Sequence, residues 1–371
     1  MNILTRNLVT LFTLLPFSIF PGKPTKLPNI PARVEFPVVY SSDYNISFGI
    51  FNWLHSFDGS KYGRVAESIA PYICKPPSDH TAKPQEPFYT PEEVSKEDLR
   101  LVHSEEYLTQ TLRDSAKVAR ITEVPPLGWL PNWILQSRIL QPMRLATGGT
   151  IQAAILALRH GKAINLSGGY HHAKPTKGEG FCVYSDIVIA MKKLWQINPF
   201  FKIMYVDLDA HQGNGVAKSL EDEFSKEDRR VALFDVYNAQ RYPRSGDGTR
   251  RYITYNHPVT DGTADEAYQQ ELAALPAALD EFKPDFIIYN AGTDILQGDA
   301  VGGMAVSAEG IIKRDQFVFE QAERIKKPIM MVLSGGYTQK SADVISRSII
   351  NLTKMYKEPK DIRDELGHEV F

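Results

Sequence analysis

Short apolar runs that alternate with longer helix-like stretches constrain this chain more than any other feature. Strands are expected at residues 37–40, 163–167, 203–206, 231–236, 286–289 and 329–333. The helical period predicts helices over 150–159, 186–195, 264–282, 308–325 and 342–355. Strands that are apolar throughout, rather than alternating, belong in a sheet covered on both faces. The expectation is therefore an α/β fold of three layers, α/β/α, with a mostly parallel central sheet.

Composition sets the outer bounds. With 371 residues and no evident internal linker, one large domain is expected, running over 35–371 after an extension at 1–34. The 42 basic and 44 acidic residues leave a net charge of -2, so the basic excess of a nucleic-acid surface is missing and no direct nucleic-acid binding is expected. Two cysteines, Cys74 and Cys182, build neither a disulfide framework nor a CxxC metal site. Residues 8–20 are almost wholly apolar and follow Arg6, which resembles a weak secretory signal without a small-x-small cleavage site. The run is too short for a conventional membrane span. Export, if residues 1–22 act as a signal, and a cytoplasmic protein with an accessory segment both fit.

The run Asp207-Leu-Asp-Ala-His211 follows the apolar stretch at 203–206. Alternate side chains of a strand point the same way, so Asp207, Asp209 and His211 emerge on one side. A carboxylate and an imidazole at this spacing suit a zinc-like ion once a further ligand arrives from elsewhere. A polar turn after a buried strand would use the same residues.

Other strand ends offer partners. Asp294 follows the strand at 286–289, where it either completes the ligand set or caps its loop. His171 and His172 follow Gly168-Gly169-Tyr170 and suit proton transfer, loop packing or metal ligation. Tyr337 follows Ser334-Gly-Gly336 and is placed to donate to an oxygen gaining charge. In parallel sheets, ligands bind beyond the carboxyl ends of the strands, and all of these groups lie there. Residues 52–61 are expected near the floor of the site. Loops at Gly49, Gly128 and Gly298 are expected at its rim, and Trp129 and Trp133 either in its wall or in the core.

Together these residues resemble the histone deacetylase family, and within it the class IV branch. The resemblance runs from about Phe36 to Leu352. It includes Val38-Val-Tyr-Ser41, Val102-His103, Thr122-Glu-Val-Pro-Pro126, Thr147-Gly-Gly-Thr150, Gly169-Tyr-His-His172, Gly180-Phe-Cys182, Asp207-Leu-Asp-Ala-His-Gln-Gly-Asn214, Tyr289-Asn-Ala-Gly-Thr-Asp-Ile295 and Ser334-Gly-Gly-Tyr337. It implies an arginase/deacetylase-like fold with one catalytic zinc beneath a narrow tunnel. Asp209, His211 and Asp294 match the zinc ligands, His172 the proton-transferring histidine, and His171 its electrostatic neighbour. Asp207 matches the carboxylate that supports His171. With Asp209 and His211, it also matches the surroundings of a structural K+ or Na+. Tyr337 matches the tyrosine that polarises the acyl carbonyl, and Gly180 and Phe181 match the tunnel wall. Asn214, the partner of His172, stands where many relatives have aspartate, and Gln212 where others have histidine. Both agree with class IV.

The resemblance implies zinc-dependent hydrolysis of N-epsilon-acyl-lysine in proteins or peptides, favouring long fatty acyl groups over acetyl. An amidohydrolase of acetylpolyamines or other small amides would use the same centre. A non-catalytic interaction protein would be expected to have lost a ligand or the tyrosine. Oligomeric state and physiological substrate are not legible.

Overall fold

The computed structural model describes residues 36–46, 58–73, 86–224, 230–243 and 248–357. The expected extension at 1–34, Cys74 and the loop at Gly49 lie outside the described residues. The strands are β1 (Val38–Val39), β2 (Lys162–Asn165), β3 (Ile203–Asp207), β4 (Val231–Asn238), β5 (Tyr255–Val259), β6 (Phe286–Asn290) and β7 (Ile329–Val332). They form one sheet in the order β1-β2-β7-β6-β3-β4-β5, and every pairing is parallel. All residues of β3, β6 and β7 are buried. That burial on both faces is why these strands read as unbroken apolar runs.

The principal helices are α1 (Lys61–Ile73), α2 (Glu105–Arg113), α3 (Ser115–Ile121), α4 (Gln141–His160), α5 (Asp186–Ile197), α6 (Asn214–Glu223), α7 (Asp265–Leu272), α8 (Leu275–Phe282), α9 (Ala308–Arg324) and α10 (Ser341–Lys357). One set packs α4 against α5 and onto β2 and β7, and a second packs α10 against α1 and α9. The three-layer α/β/α expectation is met. No helix among the described residues is long and apolar enough to cross a membrane.

Departures from the expected elements have local causes. The stretch expected as one helix over 264–282 is two helices, α7 and α8, with Pro276 in the first turn of α8. A proline ring has no N–H and crowds the preceding turn, so it opens a helix and does not sit inside one. The helix expected from Thr150 begins instead at Gln141, and Gly148 and Gly149 lie within it. A Cβ on Gly148 would stand 1.8 Å from the Glu92 carbonyl oxygen, and one on Gly149 1.9 Å from the Tyr44 hydroxyl. These glycines serve close packing rather than a helix start. Strand β5 escaped notice because it is a half-exposed edge strand that includes His257 and Pro258. Helix α1 was hidden by Gly63 and Pro71.

Beneath the sheet's carboxyl edge lies a buried guanidinium. Arg314 of α9 donates to the carbonyl of Leu208 at 3.0 Å and of Gly292 at 2.6 Å, and pairs with Asp315 at 2.8 Å. It thereby ties the loop after β3 to the loop after β6. Arg314→Met takes the guanidinium from Asp315, which keeps the Tyr289 and Ser348 hydroxyls, and from the carbonyls of Leu208, Gly292 and Ala291. Chemical denaturation should show a loss of about 3–5 kcal/mol, the usual cost of breaking a buried pair.

His103 and Tyr107, four apart in the sequence, do not share a helix. His103 precedes the Ser104 N-cap of α2, and the two rings lie 5.2 Å apart. Nε2 of His103 accepts the Ser185 N–H at 2.9 Å. Burial pushes this imidazole down to about 4, because the charged form loses its water. The unfolded chain binds the proton at an ordinary pKa and the folded chain does not. Its stabilisation is therefore full above about pH 6.5 and is lost as pH falls towards 4, on the order of 3 kcal/mol. His103→Gln should flatten that part of a stability-against-pH curve.

Candidate metal centre and active site

Four neighbouring strands, β2, β7, β6 and β3, end at one place along the sheet edge. The end of β2 leads to His171 and His172, β7 to Tyr337, β6 to Asp294, and β3 to Asp207, Asp209 and His211. Adjacent parallel strands stand about 4.8 Å apart, so short loops from four ends converge without long excursions.

Asp209, His211 and Asp294 are buried, and each offers a ligand atom within 4.8 Å of the others. Nδ1 of His211 lies 3.0 Å from Asp209 Oδ1 and 2.9 Å from Asp294 Oδ2. Backbone donors hold the carboxylates. Ala210 N–H donates to Asp294 Oδ1 at 2.9 Å, and Gly335 N–H donates to Asp209 Oδ2 at 2.9 Å. The Asp294 Oδ2 atom is buried, and His211 Nδ1 is the polar group that approaches it. A Cβ on Gly335 would lie 2.4 Å from that oxygen and 2.6 Å from Asp209 Oδ2, so only glycine leaves this face open.

The electrostatics of the cluster suit a cation. Burial pushes Asp294 up to about 7, and the neighbouring Asp209 adds to it. Burial would lower His211, but hydrogen bonds and charge from Asp209 and Asp294 hold it well above the usual imidazole range. Two buried carboxylates drawn onto one imidazole nitrogen repel each other unless a positive charge lies between them. One nitrogen and two oxygen donors with an open face suit a catalytic zinc ion.

The histidine pair flanks this cluster. His171 Nδ1 lies 2.9 Å from Asp207 Oδ2, which also accepts the Tyr205 hydroxyl at 2.8 Å. Burial opposes the charged form of His171, but Asp207 and Asp209 outweigh it and raise its pKa. His172 Nδ1 lies 2.7 Å from Asn214 Oδ1. Burial, then the neighbouring His171 and His211, push its pKa well below the ordinary value. The two imidazoles are thus driven apart in basicity. His171, His172, Gly180, Phe181, Asp209 and Tyr337 line one cavity. Gly180 and Phe181 both have positive φ, 54° and 64°, and a Cβ on Gly180 would stand 2.5 Å from His172 Cδ2. Burial, then Asp294 and Asp209, hold the Tyr337 phenol well above its usual pKa, so it stays protonated and able to donate.

A model of the histone deacetylase domain matches residues 60–353. The chain belongs to the histone deacetylase family. It is 43% identical over 318 residues to histone deacetylase 2 of Arabidopsis thaliana, covering 85% of this chain and 78% of that one. It is 31% identical over 315 residues to an uncharacterized protein of Picosynechococcus, covering 84% and 95%. Against human histone deacetylase 1 the identity is 26%, over 68% of this chain and 52% of that protein. The crystal structure of the HDA15 HD domain superposes with a TM-score of 0.67 at 20% identity, covering 86% and 88%, and supports the same fold.

Several groups that complete this candidate site gave no clear signal in the sequence. Asp186 reads as an ordinary acid in the first turn of α5. In the structure it accepts the N–H groups of Gly169 and Tyr170 at 2.9 and 2.8 Å, fixing the loop that presents both histidines. Asn290 donates to Asp207 Oδ1 at 2.9 Å. Asp235 lies beside Asp207 in the register of β3 and β4, its Oδ1 buried without a partner. Of the stretch expected at the floor, Lys61 reaches it. Its buried ammonium donates to the Ser334 carbonyl at 2.8 Å and the Gly335 carbonyl at 3.2 Å. Residues 52–57 lie outside the described residues. Trp129 and Trp133 are 85% and 71% exposed and do not line the cavity, so neither the core nor the wall reading holds. Gly128 and Gly298 do not line it either.

Proposed function

We propose that the protein hydrolyses the amide bond of N-epsilon-acyl-lysine, with one zinc ion held by Asp209, His211 and Asp294. The observation that bears most weight is that Asp209, which clusters with His211 and Asp294, lines one cavity together with His172 and Tyr337. Zinc bound there would supply Lewis acidity toward a carbonyl oxygen and toward water. The protein's residues supply the rest. Gly180 and Phe181 border the acyl-lysine stem. His172, with Nδ1 engaged by Asn214, has Nε2 free to take a proton from the attacking water. Tyr337 donates to the oxygen that gains charge as the carbonyl carbon becomes tetrahedral. His172 then gives its proton to the departing lysine nitrogen, leaving a carboxylate and a free lysine amine. His171, paired with Asp207, keeps positive character beside the reacting centre.

A structural K+ or Na+ near Asp207, Asp209 and His211 is part of this reading. The orphaned Asp235 oxygen beside Asp207 fits a cation there. The class IV assignment and the preference for long acyl chains rest on Asn214 and on Gln212, whose side chain donates to Thr249 at 3.0 Å. A single domain over 35–371, after an extension at 1–34, is the organisation that accompanies it.

A series of lysine peptides from acetyl to myristoyl, run beside acetylpolyamines on zinc-loaded protein, tests the proposal. Turnover rising with chain length is expected. Turnover confined to small amines would favour the rival amidohydrolase, and inertness toward every acylated amine would exclude both.

A further inference from the structure

Asn214 cannot by itself decide which way its amide faces, because one edge accepts and the other donates. Its neighbour decides. Asn214 Nδ2 donates to Glu179 Oε1 at 2.9 Å. Glu179 also takes Lys174 Nζ at 2.7 Å and Lys177 Nζ at 2.6 Å, and its side chain is largely buried. Lys174 and Lys177 face one carboxylate because their backbones pair across a tight turn. Burial alone would raise the Glu179 carboxyl, but the two lysines and the Tyr242 phenol hold it down at about 2. A carboxylate so held has no proton to give.

We propose that Glu179 is a positioning residue that locks the Asn214 amide and, through it, the tautomer of His172. With Nδ2 committed to Glu179, Oδ1 must face His172, 2.7 Å from Nδ1. An oxygen there accepts, so the imidazole proton sits on Nδ1 and Nε2 keeps its lone pair toward the cavity. A flipped amide would aim Oδ1 at a carboxylate oxygen. It would also turn an N–H toward His172 Nδ1 and move the imidazole proton to Nε2, where the ring no longer serves as a base. The carboxylate missing at position 214 is thus present one hydrogen bond further out. Nothing in the residues around Gly180 announced this, because Glu179 reads there as a surface acid beside two lysines.

The lock rests on the proposed hydrolase chemistry, and its test separates the two. Glu179→Gln offers Asn214 both a donor and an acceptor. On an acyl-lysine peptide its kcat should fall about tenfold, a part of the about 10²–10⁴ a positioned base supplies, with KM and zinc content unchanged. Nitrogen-15 spectra of the histidine side chains, with His172 assigned by its loss in His172→Ala, should show Nδ1–H in the parent and a mixed state in Glu179→Gln. Asn214→Asp alone sets a second carboxylate against Glu179 and should also be slow. The exchanged pair, Asn214→Asp with Glu179→Gln, restores one carboxylate and one amide and should return kcat to within about threefold of the parent. Parent-like kcat in Glu179→Gln overturns the lock. So does a fall in kcat without the tautomer change, or an exchanged pair no faster than its single variants. Should the parent prove inert on acyl-lysine, the hydrolase reading fails while the spectra still judge the lock.

Discussion

Alanine in place of Asp209 should leave the purified protein without zinc and without turnover of any acyl-lysine. Asp209 supplies one of three donors, and its other oxygen receives the Gly335 N–H that seats the strand end bearing Tyr337. Its removal also leaves His211 and Asp294 as an incomplete pair. Loss of a partner outside the ligand set already costs metal sites about 10–100-fold in affinity, and loss of a ligand costs more. Zinc measured by mass spectrometry should fall from about one per chain to near zero. Asp294→Ala should behave alike. Retained zinc in both variants would place the ion elsewhere.

The second large effect is expected at Tyr337. Phenylalanine keeps the ring, which packs edge-on against His211 at 6.2 Å, and removes only the hydroxyl. The donor acts on an oxygen charged only in the transition state, so kcat should fall about 10²–10³-fold while KM changes little. Zinc content should stay the same, which separates this variant from the ligand variants. Steady-state kinetics on one acyl-lysine peptide decide it, and an unchanged kcat removes the tyrosine from the mechanism.

The parts of the fold that were legible were those in which one physical demand dominates. Strands β3, β6 and β7 are buried on both faces, so their composition alone gave them away. Asp209, His211, Asp294 and Tyr337 lie a few residues past those strand ends, and His171 and His172 lie further along, on the glycine loop that follows β2. What was hidden served two demands at once. Gly148 and Gly149 look like helix breakers, yet they let a long helix pass close to Glu92 and Tyr44. Pro276 divides what an apolar period would join. Asp186, Asn290 and Glu179 have ordinary local roles in a helix turn, a strand and a hairpin. Their second roles exist only through contacts that no local pattern encodes.

The most direct test of the whole account is a zinc titration of metal-free protein, followed by turnover of a long-chain acyl-lysine peptide. Activity should rise in proportion to zinc and reach its plateau at about one equivalent, and His211→Ala should neither bind the ion nor gain activity. Turnover that ignores zinc, or a chain that takes up its full equivalent and leaves every acyl-lysine intact, would contradict it.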